Sequence, residues 1–313
     1  VRVTPPDTQT AGANDARGLA LGFASHLLAG LSPFIVSAVI TRTSLLPGTA
    51  LVYGLGATAL ALLLVVPHWR RRWRAETRAL WTPPHRIAFL VSLTGFLAAG
   101  VAYYVGLASS ARVAEYVFLT RLDWVVQAPV AILVLREPWT RAGLGGAALA
   151  LAGGLLIVWT GVVGSSGLLA ALCYVIASLA GYLGATRIAR ARGLEGAVAL
   201  TVWRHWVNTA GFVTLALVLV PTTVHRPDTG TLMLALAGGA TLLGLFLCRF
   251  AALTRLPLWV LSAQAPVQAL VALAASRWIE GVLSATTLVA AGMIVAGEAI
   301  VATSQRAARR PDA

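Results

Sequence analysis

Residues 112–141 read RVAEYVFLTRLDWVVQAPVAILVLREPWTR. From Ala114 to Leu135 the run is apolar and long enough to cross a bilayer, which takes about 20 residues of helix. Yet it holds Glu115, Arg121, Asp123 and Gln127. An ionisable group at the centre of a spanning helix costs at least ~2.5–3.5 kcal/mol on insertion scales. A helix with an acid and a base near its middle therefore turns toward a cavity or a partner helix, not toward lipid.

On a continuous helix at ~100° per residue, Arg112, Glu115, Asp123 and Gln127 share one stripe about 120° wide, and Arg121 falls on the far side. Asp123 lies about 12 Å along the axis from Glu115, near mid-depth. Arg121 and Asp123 are two positions apart and cannot face each other. Each needs a partner from another helix.

The whole chain supports a membrane setting. Of its 313 residues, 58% are hydrophobic and 11% charged, against about 25% charged in soluble domains. The net charge is +13, and every basic residue is arginine. The arginines fall in short segments between apolar runs, so topology explains them better than nucleic-acid binding does. Cys173 and Cys248 lie inside apolar runs and read as small buried hydrophobes, not a disulfide.

Apolar runs of about 20 residues give ten expected helices, near 18–40, 47–66, 87–108, 114–135, 143–162, 167–186, 197–220, 231–250, 257–276 and 283–303. Residues 1–17 and 305–313 read as cytoplasmic tails, the first disordered. With the N-terminus inside, most loop arginines are cytoplasmic, among them Arg70, Arg71, Arg72, Arg74, Arg78 and Arg86 of segment 67–86. The positive-inside rule then puts both termini in the cytoplasm. Segment 67–86, with its tryptophans, reads as a basic loop resting on anionic headgroups; a regulatory amphipathic helix is the other reading.

An offset of 143 residues brings two stretches into register. TRLDWVVQAPVAILVLRE falls on AQAPVQALVALAASRWIE, so that Arg121 meets Gln264, Asp123 meets Pro266 and Gly154 meets Gly297. Each half holds five expected spans. An odd number makes the second half enter the membrane in the opposite sense, which is an inverted repeat of the kind found in secondary transporters.

These features resemble the drug/metabolite transporter superfamily, EamA type. Its pattern is a span with a proline, a glutamate about 14 residues on, then a helix with spaced glycines. Pro266, Glu280, Gly292 and Gly297 fit it in the second half; Glu137, Gly146, Gly153 and the phrase LALAGGLLIV fit in the first. The resemblance spans about residues 18–304. It implies an all-α polytopic protein of ten helices in two five-helix repeats, 18–162 and 163–304. It also implies transport of amino acids, metabolites, nucleotide precursors or drugs. Where the first half should carry the proline stands Asp123, and the kink is expected to move to Pro129.

Several residues are candidates for a site. Arg121 with Gln264 and Gln268 would offer a guanidinium and two amides to a carboxylate or phosphate; the alternative is structural packing. Tyr103 and Tyr104 either line that cavity or pack. Asp123 is a proton-coupling or amine-binding group, or else the partner of Arg121, Arg204 or Arg249 in a fixed ion pair. Burial and a neighbouring guanidinium act on such a carboxyl in opposite senses. Glu115 joins it as a second ionisable group, or pairs with Arg112 at the outer helix end. His26 reads as a hydrogen-bonded core histidine. Trp203 and Trp206 read as interfacial anchors, Arg204 as a snorkelling side chain, and Glu298 as a partner for an inner arginine. The glycines at 145, 146, 153 and 154 read as close helix packing.

No metal-ligand spacing, nucleophile elbow or zincin motif occurs. The expectation is a non-enzymatic secondary transporter of the bacterial cytoplasmic membrane, without cofactor or nucleic-acid partner, in which a homodimer stays open. Its cargo is a small polar or amphipathic metabolite such as an amino acid, exported by alternating access with or without proton coupling. A lipid-linked sugar flippase or a membrane-bound lipid-modifying enzyme is the alternative.

Overall fold

The computed structural model describes residues 8–110, 112–135, 140–159, 164–189, 196–220, 227–256, 258, 261, 264–279, 281 and 284–307. Glu137 and Glu280 of the repeat pattern lie outside this set. Within it the secondary structure is entirely helical. The helices are α1 Thr8–Arg42, α2 Leu45–Leu63, α3 Pro67–Leu80, α4 Pro83–Ala108, α5 Val113–Thr120 and α6 Leu122–Leu135. They continue as α7 Arg141–Trp159, α8 Ser165–Ala189, α9 Ala197–Leu219, α10 Thr229–Leu253, α11 Ala265–Ile279 and α12 Ala285–Ala307.

Among the described residues, five helices are long and apolar enough to cross a bilayer: the Ala16–Arg42 part of α1, then α2, α4, α8 and α10. Shorter apolar segments occupy Arg141–Ile157, Val267–Ile279 and Ala285–Ile300. Large side chains such as Leu155, Ile176, Leu217 and Trp278 stand exposed on the outside, as lipid-facing residues of a membrane-embedded helical protein do. Helix α9 is long enough, but Arg204, His205 and Asn208 dilute its hydropathy. All three are buried. Its polar residues turn inward.

The largest helix interfaces join α4 to α8, α7 to α12 and α1 to α10, and α2 packs on α9. At the α7–α12 crossing the backbones touch. A Cβ on Gly153 would stand 2.6 Å from the Ala290 carbonyl oxygen, and one on Gly297 would meet the Gly146 carbonyl. Only glycine permits that approach, as the small-residue spacing of the sequence predicts.

Three expectations about the ends and loops change. Helix α1 already runs from Thr8, upstream of the boundary expected at residue 18. Segment 67–86 is not an extended loop but helix α3 and the start of α4. Arg70, Arg71, Arg74 and Arg78 are exposed on α3, whereas Glu76 and Leu80 are buried. Glu76 accepts from the Ala199 N–H at 2.9 Å and thereby caps the first turn of α9, whose own N-cap is Gly196 at φ +31°. Glu76 also takes Arg72 at 2.8 Å. Trp73 against Trp206 and Trp81 against Trp203 complete the attachment. These tryptophans build a joint between helices in addition to any interfacial role. Both cysteines are free, but Cys173 is exposed and Cys248 half-buried, because apolar residues of a spanning helix also face lipid.

The crossing is testable. Gly297→Leu should lower stability by about 1–3 kcal/mol, the usual cost of overpacking a filled contact. Gly292→Leu, at an exposed position with nothing near its Cβ direction, should leave the thermal unfolding midpoint in detergent close to that of the wild type.

Candidate functional site

Arg121 does not sit inside a continuous helix. It separates α5 from α6, with φ −68° and ψ −14°. The ladder changes there: the Arg121 N–H donates to Phe118 O at 3.0 Å and leaves the Val117 carbonyl without its regular i+4 donor. Two side chains take over that carbonyl, Thr120 Oγ1 at 2.8 Å and Arg121 Nε at 3.3 Å. The expected single helix over 114–135 is therefore corrected: it is divided at Arg121, and α6 then runs on through Pro129. At Arg121 side chains compete for a backbone carbonyl, and the break lies there.

The break points the guanidinium inward. Arg121 is 2% exposed; its Nη1 donates to Gln268 Oε1 at 2.7 Å and its Nη2 to Thr120 Oγ1 at 3.3 Å. Gln268 in turn donates to Ala29 O on α1 at 3.1 Å. This fixes one end of a cavity of about 70 Å³. At roughly 10–15 Å³ for one water on this measure, there is room for a handful of waters or a compact ligand. The wall carries Tyr53, Tyr103, Tyr104, Tyr174 and Tyr182, together with Phe96 and Phe246. Its charges are Arg121, Arg204 and Arg249.

Of the residues singled out from sequence, Arg121, Gln268, Tyr103 and Tyr104 meet in this cavity. Gln264 does not line it. It lies in the turn before α11, its N–H donating to Leu261 O at 3.1 Å and its side chain to Leu19 O at 3.0 Å. The i, i+4 amide face expected from Gln264 and Gln268 fails because helix α11 starts only at Ala265. Asp123 sits just behind the wall and is 1% exposed. Its Oδ2 accepts from Tyr174 Oη at 3.2 Å and Ser178 Oγ at 3.3 Å, and Arg121 gives its own donors to other groups. Glu115 pairs with Arg112 at 3.4 Å as expected, and also accepts from Thr287 Oγ1 of α12 at 2.7 Å. His26 is a bonded core histidine, its Nε2 lying 3.0 Å from Leu261 O.

Arg204 is a correction. It does not snorkel: it is 8% exposed and its guanidinium carbon lies 4.0 Å from the Phe96 ring centre and 3.6 Å from that of Phe246. Its position seven residues into α9 suggested the interface, but Glu76 and α3 cover that end of the helix. Glu298, expected beside an inner arginine, is 4% exposed, and neither carboxylate oxygen has a hydrogen-bond partner among the described residues. The roles of Arg204, Arg249 and Glu298 escaped sequence reading, since each sits near a predicted span end where solvation is the default.

Comparison with known proteins agrees on the fold alone. No protein-family model and no curated protein matches the chain. A solved structure described only as "Crystal structure of protein" superposes at TM-score 0.69, over 94% of this chain and 99% of its own, with 17% identity. The shared architecture is thus an all-helical bundle of nearly the same extent.

Gln268 is the acceptor that holds Arg121. Gln268→Leu leaves a buried cation one acceptor short, so the thermal midpoint in detergent should fall, by about 1.5–3 kcal/mol of stability. Gln268→Glu should keep the midpoint at or above the wild-type value.

Proposed function

We propose that the chain is a secondary transporter in which two inverted five-helix repeats alternate around the central cavity. The observation that carries this reading is a matched pair of short-range backbone hydrogen bonds. The Arg121 N–H bonds Phe118 O and the Gln264 N–H bonds Leu261 O, and both donor and acceptor differ by 143 residues, the offset of the sequence repeat. Discontinuous helices meeting near mid-depth are a recurring form of transporter substrate site.

Helix packing supports the same reading. Under exchange of halves α1 corresponds to α8, α2 to α9, α4 to α10, α6 to α11 and α7 to α12. The α1–α10 interface then becomes α8–α4, α1–α11 becomes α8–α6, and α2–α9 and α7–α12 map onto themselves. With the EamA-type resemblance, these features support ten spans in the bacterial cytoplasmic membrane, both termini inside. The cargo is a small polar or amphipathic metabolite such as an amino acid, since the cavity is compact and ringed by tyrosine hydroxyls and guanidinium groups. No segment of the sequence resembles a nucleotide-driven motor, so a gradient of cargo or protons supplies the work.

Reconstituted in vesicles and offered a panel of amino acids and other small metabolites, the protein should show saturable flux of at least one of them. Arg121→Gln should reduce that flux by about tenfold or more, the usual effect of losing a charge-assisted hydrogen bond. Folded protein with no saturable flux across the panel would falsify the transporter reading. Asp123→Asn addresses coupling: if the dependence of flux on a pH gradient survives the substitution unchanged, Asp123 is not the coupling group.

A further inference from the structure

Arg204 and Arg249 share one aromatic group. Arg249 stands three residues after Phe246 on α10, so the two project from the same helix face. Phe246 stacks on Arg204. Arg249 donates from Nη1 to Tyr182 Oη at 2.7 Å, and the Tyr182 ring meets Phe96, the other ring on Arg204, edge-on at 5.2 Å. Two guanidinium groups from α9 and α10 thus flank a common set of rings, and both line the cavity.

The Phe96 and Phe246 rings hold the Arg204 guanidinium in close contact. Its donors lie along the edge of the guanidinium plane, and Nε and Nη1 have no hydrogen-bond acceptor among the described residues. Stacking on ring faces recovers part of what a cation loses on leaving water, but it satisfies none of the edge N–H groups. No carboxylate lines this cavity among the described residues; its three ionised side chains are all cations. Like charges brought together at low dielectric repel, and an anion with two or more oxygens, hydrogen-bonded by both forks, reverses the sign.

We propose that Arg204 and Arg249 form a clamp for the carboxylate or phosphate of a small anionic ligand. This rests on the transporter reading only in that the ligand would be its cargo. Arginine suits the role because its planar fork pairs with such oxygens two at a time. Contact with two aromatic rings makes Arg204 the pre-oriented half of the clamp.

The test uses purified full-length protein in detergent, with inorganic phosphate and succinate as probes and choline chloride at matched ionic strength as the control. At least one anion should raise the thermal midpoint saturably, and calorimetric titration should give a dissociation constant weakened about tenfold or more in Arg204→Gln and in Arg249→Gln. Phosphate acting alone identifies a phosphorylated ligand, and succinate acting alone a carboxylate. The wild-type comparison decides by itself if either variant fails to fold. A midpoint no higher with both anions than with the chloride control overturns the clamp. So does equal binding in wild type and in folded variants. Anion binding without vesicle flux would retire the transporter reading and keep the clamp. Flux of a cationic cargo without anion binding would retire the clamp and keep the transporter.

Discussion

The hydrogen bond from Arg121 to Gln268 is the interaction on which the interior depends. It joins the break between α5 and α6 to α11, and through the Gln268 amide it reaches the backbone of α1. Burying a guanidinium is costly unless its donors find acceptors, and each nitrogen of Arg121 has one: an amide, a hydroxyl or a carbonyl. The same side chain that needs those partners also interrupts the helix, because its Nε takes a carbonyl left open by the shortened backbone bond. Charge and kink have a single cause here.

Around that point the polar residues form a graded interior. Tyr174 and Ser178 hold Asp123 behind the wall, rings enclose Arg204, and Tyr182 takes Arg249. None of this faces the outer surface, where leucine, isoleucine and valine stand exposed. In a bilayer the ordinary hydrophobic sorting is weak between helices, so close glycine contacts and interior hydrogen bonds specify the packing. The α7–α12 crossing and the Arg121 network are the two clearest instances.

Helix α3 links this interior to a row of exposed arginines. Glu76 caps α9 from outside its own chain segment, since Gly196 has no side chain to do so. The first turn of α9 is thereby fixed, and Arg204 lies two turns further on. A basic amphipathic helix and a cation in the cavity are thus connected through one short, capped stretch of helix.

Sequence by itself determined the helical class, the apolar runs and the inward-facing segment with Arg121 and Asp123. Those follow from composition and period, because a bilayer penalises every unpaired charge and every open backbone group along a span. It also marked the glycines of α7 and α12, whose spacing has few other uses. The break at Arg121, the diversion of Gln264 to α1 and the burial of Arg204 came only from the tertiary structure. Each depends on which neighbour offers the better partner: a freed carbonyl for Arg121, the Leu19 backbone for Gln264, and two phenyl rings for Arg204. Residues remote in the chain supply two of those three. No periodicity records that choice; it is decided where the helices meet.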